Sequence, residues 1–184
     1  MSRLNRTLLV VGALCAIVAL AAAVPTGRQL ARTQAESEIA WHQIVQIQTA
    51  RMQSATLALD ATSRDEIAHA PLHRAARDAV ARAKAAGSDD NILHDPAAIN
   101  TWKKSQGELT AALFMLVGSN NGKSQQAADA LERLRVELLH EEEALAAARA
   151  RYSQASAEYA ASSNTVAGAT VATLLRYPDL PATL

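Results

Sequence analysis

The feature that most constrains this chain is a run of apolar and small residues near its C-terminal end. Ala127, Leu131, Leu134, Leu138, Glu141, Leu145, Ala148, Tyr152, Ala155 and Tyr159 follow one another at steps of four and three without a slip. A repeat that averages 3.5 residues keeps one stripe of a helix facing a neighbour and imposes a left-handed supercoil. One long helix of this kind needs partner helices, and the rest of the sequence supplies them. Of the 184 residues, 42 are alanine, while aromatics make up 3%. Alanine is the strongest helix former, and the β-branched and aromatic residues that build sheets are scarce. A β-sandwich or barrel is therefore excluded, and the expected class is all-α.

Three further helices are predicted upstream. Trp41, Ile44, Gln48, Met52, Ala55 and Leu59 mark the first, over about 29–61. Leu72, Ala76, Ala79 and Ala83 mark the second. Ser63 and Glu66 have capping-box spacing before it, Pro71 either kinks it or starts it afresh, and Gly87 stops it. Residues 88–95 read as a polar loop. Asp95 followed by Pro96 is a strong start signal for the third, on which Ile99, Trp102, Gln106, Leu109, Leu113 and Leu116 share a face. Short connections between successive helices predict antiparallel neighbours, so the body is expected to be a long up-down bundle of three to four helices with coiled-coil-like packing. After it, Val166 to Leu175 is apolar but too short to span a bilayer, and Pro178 and Pro181 make the last residues irregular.

The N-terminus has a different character. Thr7 to Val24 holds 18 residues without a charge, preceded by Arg3 and Arg6 and followed by Pro25, Thr26, Gly27 and Arg28. At 1.5 Å per residue this is about 27 Å of helix, enough for a bilayer core. The layout fits a cleavable signal peptide as well as an uncleaved signal-anchor. Its length, beyond the 7–15 apolar residues of most cleaved segments, favours the anchor. Gly12 stands where a lipoprotein site needs a branched apolar residue, so Cys15 reads as apolar filler. Pro25 and Gly27 are the expected hinge to the first helix of the bundle. Arg3, Arg6 and the α-amine before the segment, set against Arg28 and Arg32 after it, slightly favour the N-terminus in the cytoplasm and the bulk of the chain outside it. The expected organisation is an anchor over 1–27, a bundle over 28–164 and a tail over 165–184.

A second set of residues resembles a known family. Ala40-Trp41-His42-Gln43 is followed by Arg51. Much later come Glu142, Leu145-Ala146-Ala147-Ala148-Arg149, Tyr152 and Tyr159, then Gly168, Val171, Ala172 and Tyr177-Pro178. This order is similar to the LemA family of bacterial membrane proteins, with the fourth helix the most specific part. Met52 to Leu59 replaces the family's Leu-Ile-Pro-Asn-Leu stretch, and Ala167-Gly168 replaces its Pro-Gly pair. The resemblance implies one N-terminal membrane helix, a long antiparallel bundle and no catalytic centre. Its signature positions here are Trp41, Gln43, Arg51, Glu142, Arg149, Tyr152 and Tyr159.

Several chemistries can be tested against spacing. Glu66-x-x-His69 and Glu137-x-x-His140 imitate the two Glu-x-x-His pairs of di-metal bundles, with Glu38 and Glu108 as further carboxylates. However, His140 is about 200° from Leu138 around the helix and should point to water. His69 and His73 are separated by Pro71, which spoils a shared face. Gly118 to Ser124 lacks one residue of phosphate-loop spacing, and no strand precedes it. No Gly-x-Ser-x-Gly elbow is present. Eighteen basic residues balance eighteen acidic ones, which excludes a nucleic-acid footprint. Arg74, Arg77 and Lys84 form a solvated stripe, while Gln48, Gln106 and Glu141 occupy seam positions suited to fixing register. Neither metal nor cofactor is expected. The expected partners are the lipid bilayer through Thr7 to Val24, a protein and, as an option, a second copy of the chain. The leading expectation is a non-enzymatic interaction module at the bacterial inner membrane, ahead of a small-ligand sensor and a di-metal enzyme.

Overall fold

A computed structural model describes residues 3–63, 66–87, 92–119 and 124–182, and the side chains of these except 3–23 and 66–70. Five helices follow in order: α1 (Arg3–Ala61), α2 (Glu66–Ala86), α3 (Pro96–Gly118), α4 (Gln125–Ser163) and α5 (Val166–Leu175). A short 3-10 turn, Ile92–His94, precedes α3. The described residues contain no strand. Two compact units divide the chain, one of residues 1–39 with 151–183 and one of residues 40–150 with Leu184. Helices α1 and α4 contribute to both.

The second unit holds four helices around one core. Ala55, Ala58 and Leu59 from α1 meet Ala76, Ala79 and Ala83 from α2. Leu109, Leu113 and Leu116 from α3 and Leu131, Leu134 and Leu138 from α4 complete the cluster. Pairings between named residues fix the directions. Arg51 faces Glu141 while Leu57 and Ala58 border the same groove as Ala130 and Leu134, so α1 and α4 run antiparallel here. Arg82 pairs with Glu108, and Ala85 and Ala86 border Thr101 and Ser105, so α2 and α3 are antiparallel too. The large side chains come mostly from α3 and α4, opposite the alanines of α2. Small residues opposite large ones let the backbones approach and still fill the space between.

Local signals explain the ends. Asp95, in an extended conformation, accepts the Ala97 N–H at 2.8 Å and caps α3 with Pro96 in its first turn. Such a cap contributes about 1 kcal/mol. The Gly87 N–H returns to the carbonyls of Ala83 and Lys84 and closes α2. Ser124 accepts the Ala127 N–H and opens α4.

Two helices run through their prolines, and one expected loop is corrected. Helix α1 continues through Pro25 and Gly27, so the first bundle helix follows directly on the N-terminal segment. A proline inside a helix costs about 3 kcal/mol, and this stretch packs against α5. Val171 comes within 3.7 Å of the position a Gly27 Cβ would take, and Leu30 is buried beside it. Pro71 lies inside α2, which leaves the first of its two expected roles and removes the fresh start. The segment expected as a polar loop buries Ile92 and Leu93. Ser63 donates its hydroxyl to the Asp60 carbonyl at the end of α1, and the Glu66 half of the expected capping box lies outside the described side chains.

Among the described residues no helix is long and apolar enough to cross a membrane. The expected span, Thr7 to Val24, lies outside the described side chains except for Val24.

In the first unit Leu30, Tyr159 and Val171 form a small core, backed by Ala172, Tyr177 and Leu180. The turn from α4 into α5 leaves no space at Gly168, where a methyl group would overlap the Ser162 carbonyl oxygen and crowd the Thr165 hydroxyl. Backbone cannot yield as a side-chain tip can. Gly168→Ala is expected to lower stability by about 1–3 kcal/mol. Limited proteolysis should show residues 165–182 cleaved first.

Candidate functional site

The residues singled out by sequence gather in two places, one in each unit. The first is Arg51, on the inward stripe of α1 with no solvent exposure. Its Nε donates to Oε2 of Glu141 at 3.2 Å, and its Nη1 donates to the Thr110 hydroxyl at 2.8 Å. Oε1 of Glu142 lies 2.8 Å from the same Nη1, a close ion pair whose geometry is off the hydrogen-bond direction. One guanidinium thus joins α1, α3 and α4. Burial pushes the Glu141 carboxyl above its ordinary range; Arg51 pulls it back, and the charges of Glu137 and Glu142 add to the rise. A guanidinium stripped of water is tolerated only when paired, because isolated buried charge costs several kcal/mol (roughly) even after relaxation.

Buried amides lie one turn away. Gln48 and Gln106 are almost fully buried, and their amide atoms make no hydrogen bond among the described residues. Gln48 precedes Arg51 by three residues and Gln106 precedes Thr110 by four. Both therefore lie on the side of the Arg51–Thr110 contact that leads toward Trp41 and Trp102. Those two indoles pack edge to face, with centroids 4.8 Å apart and planes at 61°. Such a contact adds about 0.5–1.5 kcal/mol beyond the area it buries. Gln43 and Arg149 are half-buried on α1 and α4, and Nε of Arg149 has no hydrogen-bond partner among the described residues.

The second place is the far part of α4. Tyr152 donates its hydroxyl to the Pro181 carbonyl at 3.0 Å, Ser156 to the Ala182 carbonyl at 3.1 Å, and Tyr159 to the Pro178 carbonyl at 2.7 Å. Positions 152, 156 and 159 share one helix face, so the three hydroxyls line up along the tail. The tail has no ladder of its own, and its two prolines have no N–H to offer. Hydroxyl donors satisfy its carbonyls instead. Burial pushes the Tyr152 phenol well above its ordinary pKa. Tyr159 is also raised, by burial first and then by the charges of Asp179 and Tyr177.

The remaining candidates do not converge. Glu137 and His140 are exposed on α4, Glu38 accepts from Gln34, and Glu108 pairs with Arg82. Glu66 and His69 lie outside the described side chains. Among the described residues no three His, Cys, Asp or Glu side chains stand where they could hold a metal ion. His73 is buried, with Nε2 at 3.0 Å from the Leu59 carbonyl and 2.8 Å from the Thr62 hydroxyl, so it ties α2 to the end of α1. Arg74, Arg77 and Lys84 are exposed, and Asn120 to Lys123 of the phosphate-loop lookalike lie outside the described residues.

Sequence reasoning found Arg51 only through the family resemblance. The stripe itself carries the signal, since 44, 48, 51, 55 and 59 keep steps of four and three through it. Placing Met52 on the stripe hid the arginine, because an apolar residue is the natural choice there.

No family model, no curated protein and no solved structure matches this chain.

Two outcomes are expected. Arg51→Ala leaves Glu141 and Glu142 without their cation and should cost about 3–5 kcal/mol in urea unfolding at neutral pH. Arg51→Met keeps the volume but not the charge, and should cost less than Arg51→Ala. The tail should release in alkali. A phenol whose folded pKa is raised contributes its full stability below its unfolded pKa, about 10, and loses it as pH rises past that value. Tyrosinate absorbance should rise together with proteolytic access to residues 177–182, and Tyr152→Phe should remove the last-ionising step.

Proposed function

We propose that this chain is a LemA-like, membrane-anchored helical bundle that works by binding another protein rather than by catalysis. Thr7 to Val24 inserts as the anchor at a bacterial inner membrane, and the up-down bundle stands outside the cytoplasm. One observation carries the protein-binding part. Arg51 and His73 in the bundle interior are engaged in linking helices, while the outer faces of α1 and α4 present exposed aliphatic side chains. Leu57, Val136 and Leu139 are exposed. Leu57 borders a groove of about 300 Å³ shared with Ser54, Ala130, Arg133 and Glu137. Val136 adjoins the same Arg133 and Glu137. Aliphatic knobs beside Arg133 and the carboxylates of Asp129, Glu132 and Glu137 fit an amphipathic helix whose margin is mainly basic.

A photoreactive residue at Val136 of the full chain, expressed in bacterial membranes, tests this. The expected result is one defined cross-linked polypeptide, identified by mass spectrometry and lost in a Leu57→Glu, Leu139→Glu background. Cross-linking that is absent, or indifferent to both substitutions, overturns the proposal.

A further inference from the structure

Helix α5 is apolar and mostly unpartnered. Its ten residues carry no charge. Val171 and Gly168 are buried, whereas Val166 is 89% exposed, Leu174 80% and Leu175 58%. Val166, Ala169, Thr170, Thr173 and Leu174 are all exposed and share roughly 140° of the helix surface at 100° per residue. The two threonines on this face do not keep their hydroxyls for solvent. Thr170 donates to the Val166 carbonyl and Thr173 to the Ala169 carbonyl, each at 2.8 Å. Back-bonding of this kind engages the hydroxyl hydrogen within the helix.

Position identifies the occupant. Val171 packs at Gly27, three residues beyond Val24, where the uncharged stretch ends. At 1.5 Å per residue this is about 4.5 Å along the helix. The headgroup layer of one leaflet is roughly 5–8 Å thick, half the difference between the whole bilayer and its hydrocarbon core. If Thr7 to Val24 fills the hydrocarbon, the Val171 turn of α5 falls within the headgroup layer of the same leaflet. Arg28, next to Gly27, is exposed, and so is Arg176, which closes α5 with φ 54°. Cations there meet the phosphates of anionic lipids.

We infer that α5 is a second membrane contact, an interfacial helix whose Val166–Leu174 face lies in the acyl–headgroup boundary beside the anchor. This rests on the anchor reading. A short helix lying on the bilayer would fix the rotation of α1 about its axis, which a single spanning helix leaves free.

Spin labelling of the full chain separates the two parts. The protein is reconstituted in vesicles of phosphatidylethanolamine and phosphatidylglycerol. Cys15, the chain's single cysteine, is labelled in the unsubstituted protein and reports the anchor. In a Cys15→Ala background, labels go to Val166→Cys, Leu174→Cys and, as an aqueous control, Ala111→Cys on α3. The expected result is an oxygen-to-nickel-chelate accessibility ratio several-fold higher at 166 and 174 than at 111, below the ratio at Cys15. A lipid-buried Cys15 with labels at 166 and 174 as water-accessible as that at 111 overturns the inference and leaves the anchor standing. Spin–spin broadening at 166 and 174 without a rise in oxygen accessibility overturns it in favour of a second copy of the chain. A water-accessible Cys15 overturns both.

Discussion

A guanidinium with no access to water is the costliest group in the four-helix unit, and its neutralisation constrains everything around it. Arg51 reaches Glu141, Glu142 and Thr110 only if α1, α3 and α4 hold one register. A slip of one turn on any of the three would move a partner by about 5.4 Å and leave the charge unmet. Leucine and alanine stripes alone tolerate such slips, because one apolar residue packs much as another does. The ion cluster therefore supplies specificity, while Leu109, Leu113, Leu134 and Leu138 supply burial. The amides of Gln48 and Gln106 fit the same division. They add no bonds that hold the helices, and each such buried unpaired group costs about 1–3 kcal/mol.

The first unit solves a different problem. A tail with two prolines lacks two N–H donors for a ladder of its own, yet its carbonyls still need donors. Tyrosine is suited to the task because its ring fills the space left by small neighbours while its hydroxyl reaches beyond them. Tyr152 and Tyr159, seven residues apart, place two such donors on one line, and Ser156 fills the interval. The seam that carries leucine in one unit thus carries donors in the other, without any change in its period.

That period is why so much of the fold was legible. Every position of the α4 seam from Ala127 to Tyr159 is buried except Glu141, which is half-buried, and the α3 stripe is buried throughout. The Asp95–Pro96 start was readable because capping is local chemistry. What escaped depends on distant groups. Burial of Ile92 and Leu93 needs a core that their own neighbourhood does not reveal, and the neighbour of Gly27 is Val171, far along the chain. The candidate site was half legible for the same reason. Spacing marks Glu141, Tyr152 and Tyr159 as inward, but no spacing rule says that an arginine will be drawn inside, because only the paired carboxylates of another helix make that burial tolerable.

The same dependence bears on function. A catalytic group must change partners or protonation state during a reaction, so it needs a neighbour it can leave. Arg51 and His73 hold helices together and would give up packing to do so. Freedom to exchange contacts lies instead with side chains that the fold leaves on its outside: Leu57, Val136 and Leu139 in one unit, and Val166, Leu174 and Leu175 in the other. In the first set charged neighbours interrupt the aliphatic residues, as suits a protein helix with its own polar margin. In the second no charge intervenes for ten residues, as suits a lipid surface. The two faces differ in charge, and on the proposed reading that difference separates a partner-binding side from a membrane-binding one.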